Sequence, residues 1–236
     1  MSSMQPPECH LFSARSNKLT FQINCVEGLR IGGSGGGLEI GELVDANLSA
    51  IRDPGTGEFY IPGSSLKGKL RSVLEKELGK EHPKFPGEPC GCGLKSCKVC
   101  KIFGAHKKKD PESAPTRIVL RDSRMSADSL GIQKQRELAS EPNVEIKTEN
   151  TINRRTGTAQ DPRSGERVLP KTVFDGEILI HIVEGDDAAE LTQFVRHGLG
   201  IIEHASSLGA SGSRGYGRVR FEKLQEKTIE LADLKV

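Results

Sequence analysis

The stretch from Ile61 to Arg71 constrains the fold of this chain more than any other, because it joins a strand to a basic amphipathic helix. The sequence predicts a short strand over 59–62, a break at Gly63, and a helix of about four turns. The apolar residues of that helix recur at steps of three and four, as expected for a core-facing stripe. They are Leu66, Leu70, Val73, Leu74 and Leu78.

The start of this helix has the chemistry of an anion site. Ser64 or Ser65 can cap it, and the first backbone N–H groups and the helix dipole favour negative charge. Lys67 and Arg71 are four residues apart, so they share one flank of the first turns. Lys69 points away from that flank, but it belongs to the same basic segment. We therefore predict that these side chains contact phosphate.

A nucleotide triphosphatase is a poor explanation for this segment. Gly63, Gly68 and Lys69 match the spacing of a phosphate-binding loop, but the last position of that motif is Leu70 here. Leucine has no hydroxyl to offer Mg²⁺, so ATP binding is not predicted. A surface helix with merely solvated lysines remains an alternative.

Composition limits the other options. The net charge is only +2, so nucleic-acid binding would depend on local basic patches. There are 27 glycines, ten aromatic residues and no Trp, which argues against an RNA platform built on stacked aromatic side chains. No run approaches 18 apolar residues and residues 1–17 are polar, so we expect a cytoplasmic protein with no membrane partner.

The order of the elements predicts an α+β domain of ferredoxin-like (RRM-like) type. Strands are expected over 18–26, 117–121, 176–183 and 219–224, and a second helix is expected after Asp186 or Asp187. The resulting order is strand, helix, strand, then strand, helix, strand. The strand over 176–183 is apolar at both odd and even positions, which predicts a central strand buried on both faces or nearly so. Residues 1–17 would form an N-terminal extension, and residues 18–236 a single domain with insertions at 79–116 and 122–175.

Two glycine-rich segments lie outside these elements, over 28–37 and 209–218. Such glycines either allow another part of the chain to come close or are simply flexible. Asp45 follows the first segment, where a carboxylate beside a phosphate site would hold a metal or orient a hydroxyl. Asp45 is therefore a catalytic candidate, although an ordinary solvated aspartate is the alternative.

The first insertion contains four cysteines within eleven residues. The spacing of Cys97 and Cys100 lets two thiolates reach one tetrahedral ion. Cys92 and Cys90 complete the set, with His82 as an alternative ligand. We predict a structural zinc, because the chain has no secretion signal that would favour disulfides and a redox dithiol would leave two cysteines unexplained.

The second insertion is too long for an idle connection in a compact domain. Its segment over 145–159 is rich in β-branched and hydrogen-bonding residues and predicts a β-hairpin.

Six segments together resemble the RAMP superfamily and, more narrowly, the backbone subunit of the Csm effector complex of type III-A CRISPR systems. The resemblance covers nearly the whole chain from Lys18 onward. The segments are 28–33, 51–53, 61–71, 97–104, 147–154 and 212–217.

The resemblance implies a palm that binds CRISPR RNA and a thumb hairpin that displaces one base pair of the guide–target duplex at regular intervals. Target RNA would be cut beside each thumb in a step that needs Mg or Mn, with Asp45 as the nearest match to the required aspartate. An alignment without gaps would place Asn47 there instead. Partners would be CRISPR RNA, target RNA, further copies of the chain and other Csm subunits, as part of antiviral defence.

The RNA-contacting residues expected from the motifs are spread over the palm helix, the glycine-rich segments and the hairpin. They are Arg30, Ser64, Lys67, Lys69, Arg71, Lys147, Arg154, Arg214 and Arg218. Two alternatives stay open: a scaffold subunit that binds RNA without cutting, and a sister RAMP subunit that caps a complex or processes precursor RNA.

Overall fold

The fold was analysed in a computed structural model that describes residues 15–32 and 50–230. The strands are β1 (Arg15–Cys25), β2 (Tyr60–Ile61), β3 (Ile118–Leu120), β4 (Ser123–Met125), β5 (Val144–Ile152), β6 (Ala159–Val168), β7 (Val173–Ile182) and β8 (Val219–Glu230). The helices are α1 (Gly63–Glu77), α2 (Lys98–Phe103), α3 (Ala127–Leu138) and α4 (Ala188–Ala205), and a short 3-10 helix spans Gly212–Arg214.

The main sheet has the strand order β2-β4-β7-β1-β8, with β3 also paired to β7. β3 and β4 lie end to end along one edge of β7, where they pair with Ile178–Ile180 and with Phe174 and Asp175. The pairs within this sheet are antiparallel. With α1 after β1 and α4 after β7, this is the βαββαβ order of a ferredoxin-like domain, as the sequence predicts.

One face of the sheet forms the core and the other is polar. Along β1, Leu19, Phe21 and Ile23 are buried while their neighbours are half-buried, because successive side chains point to opposite faces. β7 follows the same alternation, with Leu179 half-buried. The prediction that β7 is buried on both faces is therefore wrong. Its apolar residues Val173 and Leu179 lie on the other, partly solvated face.

Helices α1 and α4 pack against each other above the buried face. The predicted stripe of α1 is buried as far as Leu74, whereas Leu78 lies beyond the helix and is 44% exposed. A side chain at Gly198 of α4 would run into Leu70 and Leu74, so glycine is what lets the helices approach this closely.

The insertions are narrower than predicted. β4 and the beginning of β7 lie within 122–175 but belong to the main sheet, and the strand predicted from Lys18 already begins at Arg15. What remains of the second insertion is α3 and the antiparallel hairpin β5–β6, which forms a separate two-stranded sheet. Across the described ranges, no helix combines the length and apolar character needed to cross a membrane.

Candidate nucleic-acid interface and metal centre

The four cysteines of the first insertion converge on one point. The Sγ atoms of Cys90, Cys92, Cys97 and Cys100 all lie within 4.8 Å of one another. Cys100 Sγ is 3.6 Å from Cys92 Sγ and 3.7 Å from Cys90 Sγ. These separations exclude a disulfide, in which the sulfurs are about 2.05 Å apart. The side-chain hydrogen bond with Cys100 lowers the pKa of Cys97, so one thiolate is already favoured.

The cluster fits a tetrahedral ion with sulfur ligands. A zinc–sulfur bond of about 2.3 Å places neighbouring sulfurs of a tetrahedron about 3.8 Å apart, close to the separations found here. The backbone N–H of Gly93 also donates to Cys100 Sγ, at 3.5 Å. His82 lies outside this group; its Nδ1 accepts from the backbone N–H of Lys84. In the described residues the geometry therefore selects Cys90 rather than His82 as the fourth candidate ligand.

Arg71 of the palm helix is engaged within the chain. Its Nε donates to Glu75 Oε1 at 2.7 Å, and its Nη2 donates to the carbonyl of Cys90 at 2.7 Å. Glu75 Oε1 also accepts from the backbone N–H of Cys90, at 2.8 Å. Both side chains are largely buried. The pair ties α1 to the cysteine cluster, so the guanidinium predicted to contact phosphate is held by the chain's own carboxylate.

Lys67 and Lys69 are in a different position. Both are half-buried, and burial lowers the pKa of each amine, with Arg71 adding to the effect at Lys67 and Lys76 at Lys69. Neither ammonium has a hydrogen-bond or ion-pair partner within 15–32 and 50–230. A partly desolvated cation without a carboxylate is well suited to an incoming anion.

The start of α1 is capped from outside the helix. The N-cap residue is Pro62, and no side chain of the helix caps it. Asp122 supplies the missing acceptor, since its Oδ1 takes the backbone N–H of Gly63 at 2.8 Å. The prediction that Ser64 or Ser65 caps the helix is therefore wrong; Ser64 is exposed and free for another contact.

The two glycine-rich segments meet at the base of the β5–β6 hairpin. Leu29 exchanges backbone hydrogen bonds with Val168, and the N–H of Gly217 donates to the carbonyl of Gly28 at 3.0 Å. The carbonyl of Arg30 accepts from Ala210. A Cβ atom at Gly28 would collide with Arg167, and one at Gly217, whose φ is 69°, would collide with the Leu208 carbonyl. At these two positions only glycine leaves room for the neighbouring part of the chain.

Tyr216 is the centre of this junction. Its ring is 3% exposed and is flanked by two cations of the hairpin, Lys147 at 4.5 Å and Arg167 at 5.1 Å from the ring centroid. Lys147 also donates to the carbonyl of Arg214 at 2.7 Å, and Arg167 donates to that of Gly215. Burial raises the pKa of the Tyr216 phenol, with Glu149 adding to the effect. The ring therefore anchors cations rather than offering a stacking surface.

Two acidic residues of β5 neutralise part of this cluster. Arg167 forms a two-pronged pair with Glu145, both bonds being 2.8 Å long. Arg214 Nη1 donates to Glu149 Oε2 at 2.6 Å. The hydrogen bonds from these arginines lower the pKa of both carboxyls, so both are ionised near neutral pH. Each of these two arginines near Tyr216 thus has a carboxylate partner on β5.

The remaining predicted RNA contacts are exposed or half-buried. Arg218 is exposed at the end of the second glycine-rich segment, and Arg154 is exposed in the turn of the hairpin. Arg30 is half-buried, and its Nε is buried without a hydrogen-bond partner in the described structure. The structure therefore brings Arg30, Lys147 and Arg214 together at the junction and leaves Arg154 at the far end of the hairpin.

The catalytic candidate Asp45 and the alternative Asn47 lie outside the described residues. The chain on either side of them is held in one place, since Gly32 bridges to Ala50 and the N–H of Ile51 donates to the Ile31 carbonyl at 3.0 Å. The N–H of Ala50 also donates to Glu166 of β6, at 3.2 Å. Gly32 and Ala50, the described residues on either side, therefore both lie beside the hairpin.

Sequence reasoning missed the acidic half of the junction. Glu145, Lys147 and Glu149 occupy every second position of β5, and a strand places the side chains of such residues on one face. That signal was present in the sequence. The partnership of Glu145 with Arg167 depends on the hairpin register, which sets these two residues opposite each other.

Comparisons with known proteins agree with this architecture. Residues 22–220 match the RAMP superfamily. The chain is 37% identical over 225 residues to "CRISPR system Cms endoribonuclease Csm3" of Methanothermobacter thermautotrophicus, covering 90% of this chain and 86% of the relative. It is 36% identical over 218 residues to the protein of the same name from Streptococcus thermophilus, covering 90% of each.

A solved structure gives the same result in three dimensions. The Csm3-Csm4 subcomplex of the type III-A CRISPR-Cas interference complex aligns with a TM-score of 0.59 at 26% identity, over 93% of this chain and 82% of the matched chain. The sequence match and the structural match both extend over most of each chain compared. The chain therefore belongs to the RAMP superfamily and, within it, to the Csm3 family.

Proposed function

We propose that this chain is a CRISPR RNA-binding backbone subunit of a type III-A Csm effector complex that also cleaves complementary target RNA at regular intervals. The observation that carries the proposal is the junction around Tyr216, where a Csm3-type chain gathers Arg30, Lys147 and Arg214 beside two glycine-rich segments. Its partners would be guide and target RNA, further copies of itself and other Csm subunits, in a cytoplasmic complex.

The parts of the fold take distinct roles in this proposal. The sheet with α1 is the palm, and Ser64, Lys67 and Lys69 supply contacts to guide phosphates. The β5–β6 hairpin is the thumb that separates guide from target, with Arg154 at its tip. The cysteine cluster would hold a structural zinc, which orders the chain between α1 and α2.

Cleavage would rely on positioning. The thumb would turn out one target nucleotide and align its 2′-hydroxyl with the adjacent phosphate, and such alignment can supply roughly 7 to 11 kcal/mol. Asp45 would orient that hydroxyl, and Mg or Mn would stabilise negative charge on the phosphate. The expected product ends are a 2′,3′-cyclic phosphate and a 5′-hydroxyl.

The first experiment is an assay of the assembled complex with its co-purified guide. Labelled RNA complementary to the guide is added with Mg²⁺ or with EDTA, and we expect evenly spaced cuts only with Mg²⁺. Tight target binding without cuts would show a scaffold subunit. A single copy per RNA would favour a capping or processing subunit, and failure to retain RNA would refute the proposal.

Two neighbouring palm residues should respond differently to substitution. Lys67→Ala is expected to weaken RNA binding uniformly across sequences and to make the dependence of log affinity on log salt shallower by about 0.7, with unchanged stability. Arg71→Met is expected to lower the free energy of unfolding by about 2 kcal/mol, because it leaves buried Glu75 without its charged partner.

The measurements are RNA titrations at several salt concentrations and denaturant unfolding of each variant. Lys76→Ala is the matched control, because it removes the same charge from an exposed position of the same helix. An equal loss of affinity in the Lys67 and Lys76 variants would mean that Lys67 makes no specific phosphate contact.

A further inference from the structure

The pairing of Arg214 with Glu149 is unusual for a residue expected to bind RNA. Arg214 lies in the second glycine-rich segment with its side chain 63% exposed, yet Nη1 is 2.6 Å from Glu149 Oε2. Glu149 comes from the hairpin, so the pair joins two separate parts of the chain. An exposed arginine with this reach could contact solvent anions freely; here a carboxylate of the same protein takes that contact.

Glu149 itself is not fully satisfied. Its side chain is 22% exposed, and Oε1 is buried without a hydrogen bond of ordinary geometry in the described structure. Lys147 Nζ is 4.0 Å away, and the Tyr216 phenol also faces this carboxylate. The carboxylate therefore lies between two cations while only one of its oxygens is hydrogen-bonded. In its charge and its oxygen acceptors, it resembles a phosphodiester bound by the same two side chains.

The other arginines near the junction differ from Arg214 in their partners. The side chain of Arg218, four residues after Arg214, is exposed and makes no hydrogen bond or ion pair within the described ranges. Arg167 is also paired, but it is largely buried, and two of its guanidinium nitrogens donate to Glu145 while the third donates to the Gly215 carbonyl. The Arg214–Glu149 pair combines an exposed arginine with a single hydrogen bond, which makes it the pair that an RNA could open.

We propose that Glu149 is an internal competitor for RNA: its carboxylate occupies, at Arg214, the place of a backbone phosphate. Binding of RNA exchanges this carboxylate for a phosphate and breaks one of the contacts between the glycine-rich segment and the hairpin. RNA must displace this carboxylate before it can contact Arg214, so Glu149 lowers the affinity of the chain for RNA. The inference rests on the proposed RNA-binding function.

Because an exposed ion pair is weak, removal of the Glu149 charge is expected to raise RNA affinity by a modest, measurable factor. Glu149→Gln removes the competing charge while keeping the shape of the side chain. The variant is expected to bind single-stranded RNA about three- to fivefold more tightly than the unmodified chain. Because Arg214 contacts phosphate in the complexes of both proteins, the slope of log affinity against log salt is expected to change by less than about 0.7.

The matched control is Glu177→Gln, which removes one carboxylate from the polar face of the sheet. Glu177 pairs with Lys18 and Arg121 and has no contact with the junction. The control is expected to stay within about twofold of the unmodified chain. Equal tightening in both variants, or weaker binding by the Glu149 variant, would overturn the proposal.

A double variant tests the local cause. In an Arg214→Gln background, Glu149→Gln is expected to give no further gain, because the cation for which it competes is absent. A gain that persists would show a general charge effect and would refute the competition. Glu149→Asp, which keeps the charge but shortens the side chain, is expected to give an intermediate affinity and provides a test if the Gln variant folds poorly.

The titrations use the purified full chain and a fluorescently labelled single-stranded RNA. If the unmodified chain binds no RNA, both the proposed function and this inference fail. If it binds RNA and the Glu149 variant behaves as the Glu177 control, the inference alone fails.

Discussion

Removing the proposed structural zinc, or replacing Cys100 by serine, is expected to lower the melting temperature by more than about 10 °C. Structural zinc contributes on the order of 10 kcal/mol of binding free energy, which is comparable with the whole stability of a typical domain. For a chain of this size, 1 kcal/mol corresponds to roughly 2 to 4 °C. Cys100 is the centre of the sulfur cluster, so its loss should affect binding most.

The loss of order should begin between α1 and α2. That segment contributes few apolar side chains to the core before Cys97, whereas Val99, Ile102 and Phe103 of α2 are buried in it. Without the ion, nothing would hold the four closely spaced cysteine side chains together. The bonds of Arg71 and Glu75 to the backbone of Cys90 would still join this segment to α1.

The measurements are zinc content per chain by mass spectrometry, thermal unfolding and limited proteolysis near residues 80–97. Cys25→Ala is the matched control, because Cys25 is a fully buried cysteine outside the cluster, where burial raises the pKa of its thiol to about 12. The control should keep one zinc per chain. A metal-free protein of unchanged stability would contradict the prediction.

Much of this architecture follows from local sequence patterns. The stripe from Leu66 to Leu74 fixes α1, the alternation of Leu19, Phe21 and Ile23 fixes β1, and Asp187 caps α4 as expected by accepting from the N–H of Glu190. These features depend on residues close together in the chain, for which periodicity is informative.

The contacts that were missed join distant parts of the chain. Asp122 caps α1 across 59 residues, and Arg214 meets Glu149 across 65 residues. A sequence shows that an arginine is present but does not show which carboxylate it will meet. For this reason Arg71 and Arg214 were predicted to contact phosphate, and the structure shows an internal partner for each.

Asp45→Ala is expected to slow target cleavage by about 10²- to 10⁴-fold while leaving guide and target binding intact. This range is typical for the loss of a side chain that positions or transfers a proton in the transition state. Binding should persist because the proposed RNA contacts lie on α1 and at the Tyr216 junction. The measurement is single-turnover cleavage of labelled target RNA by the assembled complex, together with target affinity.

The described chain on either side of residues 33–49 is anchored next to β6. Gly32 and Ala50 meet beside β6, where Glu166 accepts from the N–H of Ala50 and pairs with Arg52. Arg52 in turn lies over the ring of Phe59, 4.5 Å from its centroid. The two described residues that flank positions 33–49 thus lie beside the hairpin.

Asn47→Ala is the matched control, because Asn47 lies in the same segment and would take the catalytic position in an alignment without gaps. We expect that variant to retain cleavage, since an amide cannot accept a proton as a base. If Asn47→Ala instead abolishes cleavage while Asp45→Ala has no effect, the assignment of Asp45 is wrong and the amide orients the reacting groups. If both variants cut at the unmodified rate, the catalytic group lies elsewhere, and cleavage depends on alignment by the hairpin and a bound divalent ion.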